Sequence, residues 1–268
     1  MLISGTTQIF VIFAHPSGQV RAPSLFNRKF EELGIDHVMI PIDVAPSNLS
    51  ACVNSMRGIE NMRGGVVTIP HKVEIAKLCD ELGPGGRATG AVNAFRYDKD
   101  GRLYGDNFDG VGFVAGLKNN GNDLKHKKIL IVGAGGAARA IAAELVTEPI
   151  ASLDIANRSH DKADEVVEIV KSVTQTDTLS SIVQSQIDFA RYDYVINATS
   201  LGLRPDDPLP FSITALNSEC VVCDIIMKPE ETALLHAANQ AGMKVHYGKH
   251  MLDYQISFIA EFIGAFKP

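Results

Sequence analysis

The stretch KILIVGAGGAARAIAAEL, residues 128–145, constrains the fold more than any other part of this sequence. Its first part is a continuous apolar run, which suits a strand covered on both faces, and its last part is alanine-rich and suits a helix. Between them Gly133, Gly135 and Ala138 fall at the spacing G-x-G-x-x-A. Gly133 admits a tight turn, Gly135 lets the backbone come close to a pyrophosphate, and Ala138 allows the helix to press against the sheet. The start of such a helix offers N–H groups and partial positive charge to an anion. Strand, turn and helix together predict a dinucleotide-binding unit.

The end of the following strand, SLDIANR at residues 152–158, bears on which dinucleotide is bound. An NAD site usually places Asp or Glu there to hold the ribose 2′-hydroxyl. Here the residues are Asn157, Arg158 and Ser159, with Arg158 lying 25 positions after Gly133. A carboxylate would repel a 2′-phosphate, whereas a guanidinium pairs with one through two charge-assisted hydrogen bonds, so NADP is favoured.

The remaining chain alternates strand-like and helix-like segments, the pattern of an α/β protein with mainly parallel sheets. QIFVIFA (8–14), HVMIPID (37–43), GGVVTIP (64–70) and the pair NAFRYD and RLYGDN read as strands, and residues 24–34 and 48–58 as helices ending on glycine. The polar segment KNNGNDLKHKK (118–128) reads as a turn before a second core. DYVINATS (193–200), CVVCDII (220–226) and KVHYG (244–248) continue that core as strands, with helices over 160–173 and 231–242. The final eighteen residues carry Leu252, Ile256, Ile259, Ala260 and Phe262 at helical spacing. The expected architecture is an N-terminal open α/β substrate-binding domain over 1–110, to which 250–268 return, and a Rossmann-type domain over 111–249.

Composition narrows the function. The 268 residues suit two domains of ordinary size. With 25 Lys and Arg scattered among 31 Asp and Glu, the chain lacks the basic footprint of a nucleic-acid binder, so its partner is expected to be a small molecule. It has no apolar run of membrane-spanning length, and its first residues lack a basic n-region and cleavage site, so a cytoplasmic protein without membrane association is expected. Four cysteines fit a reducing compartment. Cys220 and Cys223 match C-x-x-C, but a strand points residues three apart to opposite faces, so buried thiols are expected there.

Two further segments carry acid–base groups: Val67–Lys72, and Gly90–Asn93 followed by Asn107–Gly110. A ketone taking up hydride develops an alkoxide that needs a proton, and a Lys ammonium beside a carboxylate supplies charge and proton together. Taken alone, Lys72 and Asp109 read as surface residues. Their surroundings are more specific. GGVVTIPHK, GAVN, NFDGVGF, VGAGGAARA, ANRSHDKA, NATSLGL and GKHMLDYQ follow one another as in the shikimate dehydrogenase family, which the sequence resembles over nearly its whole length.

The resemblance implies a reversible, NADP-dependent reduction of a 3-dehydroshikimate-like ketone in a cleft between two domains, with a place in aromatic amino-acid biosynthesis. It also implies that the last helix packs back on the first domain and that no metal takes part. It gives Lys72 and Asp109 as the catalytic pair, and Thr68, Asn93 and Gln255 as hydrogen-bonding partners of ring hydroxyls. Gly133, Gly135, Gly136 and Ala137, with Asn157, Arg158 and Ser159, would hold the cofactor, while Thr199 and Gly248 would line its nicotinamide end. A monomer or homodimer is expected.

The departures from the family pattern bear on the substrate. The family holds a carboxylate with two serines in H-S-x-S-P, but here the segment is Gln19-Val20-Arg21-Ala22-Pro23, with the matching Asn27 beyond it. The carboxylate would then fall to Arg21, Gln19, Ser24 or backbone N–H groups, or the substrate differs at that end. Met227 stands where the family has Tyr, and Phe108 where Thr is usual. Quinate, an aminoshikimate or another cyclic hydroxy acid is the alternative substrate, and a non-catalytic NADP and ring-acid sensor is the alternative function. His71, His246 and His250 lack metal-ligand spacing and are expected to be solvated or locally satisfied.

Overall fold

The apolar run QIFVIFA forms β1 (Gln8–Ala14), whose last five residues are buried. In the computed structural model, which describes residues 2–18 and 20–266, β1 pairs in parallel with β2 (His37–Asp43) and β3 (Met62–Val67). β4 (Glu81–Leu82), β5 (Ala94–Tyr97) and β6 (Leu103–Asp106) complete a sheet of order β2-β1-β3-β5-β6-β4. Only β5 runs against its neighbours. β3 ends at Val67, short of the expected Pro70, because the chain turns at Thr68, whose carbonyl accepts from the N–H of His71 at 3.0 Å.

Alternation along β1 sorts the core into two layers. Phe10 packs with Phe26 and Phe30 of α1 (Ala22–Leu33) and with Ile259 and Ile263 of the final helix. Val11 and Phe13 face the other way, toward Val53 of α2 (Leu49–Met56) and Ile75 of α3 (Lys72–Leu78). The short α4 (Pro84–Thr89) follows β4. The chain divides into two compact units, Met1–Phe108 with Ile256–Pro268, and Asp109–Gln255.

The second unit opens with α5 (Asp109–Asn119), a helix that local sequence preference does not predict. Gly110, Gly112 and Gly116 lower its intrinsic helix propensity, and packing overrides that preference. Six strands then form a wholly parallel sheet: β7 (Lys128–Val132), β8 (Ser152–Asn157), β9 (Leu179–Val183), β10 (Tyr194–Asn197), β11 (Val221–Asp224) and β12 (Lys244–His246). Their order, β12-β11-β10-β7-β8-β9, is the doubly wound arrangement whose direction reverses between β7 and β10. β9 lacks the apolar pattern of its neighbours, since only Leu179 of its five residues is buried.

On one face of this sheet α5, α6 (Gly136–Leu145) and α7 (His160–Thr174) cover Ile129 and Ile131. On the other, α8 (Ala233–Gln240) covers Leu130 and Val222. α9 (Lys249–Ile263) closes the chain. Cys220 and Cys223 belong to the cores on opposite faces, and burial pushes the Cys220 thiol up to about 12 and that of Cys223 well above its ordinary value. No helix among the described residues is long and apolar enough to cross a membrane.

β2 lies at the edge of its sheet, and Asn27 of α1 completes it. The side-chain amide donates to the Met39 carbonyl at 2.9 Å, and its oxygen accepts from the Met39 N–H at 2.7 Å. Asn27→Ala removes both partners from a partly buried peptide group and is expected to lower stability by about 1–3 kcal/mol. A urea titration of the variant checks this; an unmoved midpoint would show that water replaces the amide without loss.

Candidate active site

In an open α/β sheet, ligands bind beyond the carboxyl ends of the strands. The register of the first sheet sets Asp43 beside Ala14 across β2 and β1, Val67 beside Phe13 across β3 and β1, and Val66, Ala94 and Asp106 in line across β3, β5 and β6. The residues just past these positions are His15, Thr68, Asn93 and Asn107, so they form a row along one end of the sheet. The backbone ties the row together: Thr68 N–H donates to the Phe13 carbonyl at 3.0 Å, and Val67 N–H to the Asn93 carbonyl at 2.8 Å. Asn93 is buried, and its Oδ1 accepts from the Phe108 N–H at 3.0 Å. Lys72 is the first residue of α3, and its carbonyl accepts from Val92 N–H at 2.8 Å. Thr68, Lys72 and Asn93 are thus brought to one place.

Asp106 fixes the far side of this row and was not singled out from the sequence. Its Oδ1 accepts from the N–H groups of Gly86 and Asn107 at 2.7 and 2.8 Å. Burial raises the carboxyl above its ordinary value, against the opposing effect of those two N–H groups. A side chain at Gly83 would strike this carboxylate at 2.0 Å, so the Gly83–Gly86 turn is shaped around it.

The loop from β1 to α1 carries the expected substrate-end residues. Arg21 is exposed at the start of α1. Ser24 does not project to a ligand, because its hydroxyl donates to the Arg21 carbonyl at 2.8 Å. Gln19 lies outside the described residues. Phe108, where Thr is usual, packs its ring against Phe262 of α9 with centroids 5.3 Å apart.

In the second unit the dinucleotide turn divides into two kinds of glycine. Gly133 has φ of 123°, and a Cβ there would lie 2.6 Å from the Ala198 carbonyl oxygen, so the protein's own backbone demands it. A Cβ on Gly135 or Gly136 would meet nothing within 4 Å. No protein atom explains those two, whereas an anion at the N-terminus of α6 would. Ala137 follows in the same first turn. Asn157 shapes the loop after β8 by donating to the Ser159 carbonyl at 2.9 Å, while Arg158 stands exposed and Ser159 precedes α7. These residues fit a phosphorylated dinucleotide.

Thr199 is tied into its own loop. Its hydroxyl donates to Asn197 Oδ1 at 2.7 Å and accepts from Leu201 N–H at 3.0 Å, so it shapes the loop after β10. Asn197 in turn donates to the buried Asp224, which also accepts from Thr232 at 2.8 Å. Gly248 is required by close approach, since a Cβ there would lie 2.5 Å from the Ile226 carbonyl oxygen. Asp109 begins α5, one turn before Gly112, which rests against Met251 and the buried Gln255 of α9. Asp109 and Gln255 therefore belong to one packed helix pair. Among the described residues no group of three or more His, Cys, Asp or Glu is placed to hold a metal ion.

Comparison with known proteins gives this arrangement relatives. Residues 12–95 match the shikimate dehydrogenase substrate binding domain, and residues 116–202 match the shikimate / quinate 5-dehydrogenase family. An NADP(+) shikimate dehydrogenase of Rubrobacter xylanophilus is 35% identical over 257 residues, covering 94% of this chain and 89% of the relative. Among solved structures, shikimate 5-dehydrogenase from Listeria monocytogenes in complex with shikimate and NAD superposes with a TM-score of 0.87 at 31% identity, covering 98% of this chain and 93% of the other. The ligand-free 5-ketofructose reductase of Gluconobacter sp. strain CHM43 gives 0.85 at 30% identity, covering 97% and 96%.

The histidines differ from the sequence expectation. His71 and His246 are each only 1% exposed, and each has a buried Nε2 without a hydrogen-bond partner; only His250 reaches solvent. His71 and His246 are therefore neither solvated nor fully satisfied, and Phe113 meets the His246 ring edge-on at 5.3 Å. Burial, and then the charge of His250, press His246 down from 6.5 to about 4. The native state therefore resists protonating His246 while the unfolded chain accepts a proton readily, so stability falls as pH drops from about 6.5 toward 4. The loss from this group approaches about 3 kcal/mol. His246→Leu should flatten that limb of a stability-against-pH curve, and a variant that retained the full acid sensitivity would assign it elsewhere.

Proposed function

Because the chain belongs to the shikimate dehydrogenase family, we propose that it is an NADP-dependent oxidoreductase that reversibly reduces 3-dehydroshikimate, or a close cyclic hydroxy-acid analogue, at its ketone. The observation that carries the cofactor half is the contrast within one turn, where Gly133 is required by neighbouring backbone and Gly135 and Gly136 by no protein atom. Gly133, Gly135, Gly136 and Ala137 would hold the pyrophosphate, and Asn157, Arg158 and Ser159 the 2′-phosphate. Thr199, with Gly248, would line the nicotinamide end. NADP supplies or accepts the hydride.

The protein's own residues handle position and proton. Lys72 would donate the proton to the developing alkoxide, and Asp109 would keep the ammonium charged and aimed. Thr68, Asn93 and Gln255 would hydrogen-bond the ring hydroxyls. Arg21 would supply the positive charge at the carboxylate end. The partner is a small cyclic hydroxy acid, and the protein is expected to work in the cytoplasm as a monomer or homodimer, without nucleic acid.

Two outcomes follow. Removing the charged clasp in Arg158→Ala should weaken NADP by roughly ten- to a hundredfold and leave NAD binding nearly unchanged. Calorimetric titration of both cofactors measures it, and equal loss for both would remove Arg158 from the 2′-phosphate. In the second, Lys72→Ala should lower kcat by about a hundred- to ten-thousandfold in a spectrophotometric assay of NADPH oxidation, with NADP affinity kept. If the pair acts as a unit, adding Asp109→Ala should cost little more than the worse single change. Losses that multiply would mean the two groups act separately.

A further inference from the structure

His15 and Asp43 carry no role in the reading above, yet they stand in the same row as Thr68 and Asn93. Asp43 ends β2, His15 follows β1, and the His15 N–H donates to the Ile69 carbonyl at 3.3 Å, beside Thr68. The His15 ring meets the Asp43 carboxylate through Nδ1 at 2.8 Å. The other carboxylate oxygen accepts from the Ser17 N–H at 2.9 Å. Ser17 N–H and then His15 hold the Asp43 carboxyl below its ordinary value, so it is ionised near neutrality and can only accept. In the neutral ring the proton must then sit on Nδ1, and Nε2 carries a lone pair. The His15 side chain is 48% exposed, so that lone pair can reach a ligand.

This chemistry suits a hydroxyl and opposes a carboxylate. A carboxylate approaching the same loop needs N–H donors, but the Ser17 N–H and the His15 Nδ1–H are both engaged by Asp43, whose negative charge repels a second anion. Val20 and Ala22 have no polar side-chain atoms. A substrate hydroxyl, by contrast, finds an oriented acceptor one strand away from Thr68, and adjacent strands are separated by about 4.8 Å, within the span of a six-membered ring bearing hydroxyls.

We infer that His15, oriented by Asp43, is a specificity-determining residue that accepts a hydrogen bond from a substrate hydroxyl, so that the site takes polyhydroxylated ring ketones whether or not they carry a carboxylate. This rests on the oxidoreductase reading and extends it to the substrate class. The test measures NADPH oxidation with 3-dehydroshikimate and with two ketones lacking a carboxylate, an inosose and 5-ketofructose. At least one neutral ketone should be reduced with kcat/KM within about tenfold of that for 3-dehydroshikimate.

His15→Ala should raise KM roughly three- to tenfold on every ketone that the parent reduces, with kcat and NADPH affinity little changed, the loss of one neutral hydrogen bond. His15→Gln, which retains an acceptor, should recover part of that loss, whereas a merely structural role would shift kcat and thermal stability together. Arg21→Ala should affect only the carboxylated substrate. If turnover is present but His15→Ala leaves every KM in place, or if only carboxylated ketones react, the His15 assignment is overturned and the oxidoreductase reading stands. If NADPH binds and no ketone of the set is reduced, both fall.

Discussion

Bare backbone pressed against bare backbone positions the second unit. A Cβ at Gly110 would lie 2.1 Å from the Ala140 carbonyl oxygen of α6, and one at Gly112 would lie 2.5 Å from the Met251 carbonyl oxygen of α9. α5 therefore sits at a separation from both helices that no other residue type permits. That approach sets where the N-terminus of α6 presents its N–H groups, where α5 begins with Asp109, and where Gln255 lies on α9. Gly110 and Gly112 belong to the same short motif as Asp109, so one segment supplies both the acid and the packing that places it.

The same glycines mark where the sequence could be read and where it could not. The β7–turn–α6 unit was legible because apolar run, turn chemistry and helix former agree locally. α5 was not, because its glycines argue against a helix one residue at a time and find their reason far downstream: Gly110 in Ala140, 30 positions on, and Gly112 in Met251, 139 positions on. The strand-end positions of Thr68 and Asn93 were legible from motif order. What each side chain has left to offer was not: Ser24 is engaged by its own backbone, and Thr199 by Asn197. His15 and Asp43 are unremarkable singly and lie 28 residues apart, so only the parallel register of β1 and β2 makes them a pair.

Buried carboxyls recur at the strand ends of both units, and their partners explain why such costly groups are kept. Asp106 and Asp224 both have carboxyls raised by burial, yet each accepts backbone N–H groups from the loop that follows it, Asn107 in one case and Ile226 in the other. A loop without regular hydrogen bonding is usually mobile, and one that must hold a substrate or cofactor cannot be. The carboxyl substitutes for the missing ladder by anchoring several N–H groups at one point.

Exposure then separates anchoring from recognition. Asp106, Asn197 and Asp224 are nearly or wholly inaccessible and bond only within the protein's own loops, whereas Asp43 is half exposed and orients an imidazole that also reaches solvent. A buried acid can fix geometry without meeting a ligand. A half-exposed acid that fixes the tautomer of its neighbour transmits that geometry outward, and it does so at the loop where the paired serines expected of this family are missing. The charge at that loop is therefore set by Asp43 as much as by Arg21, and selectivity between a hydroxyl and a carboxylate at this end of the sheet depends on the balance of the two.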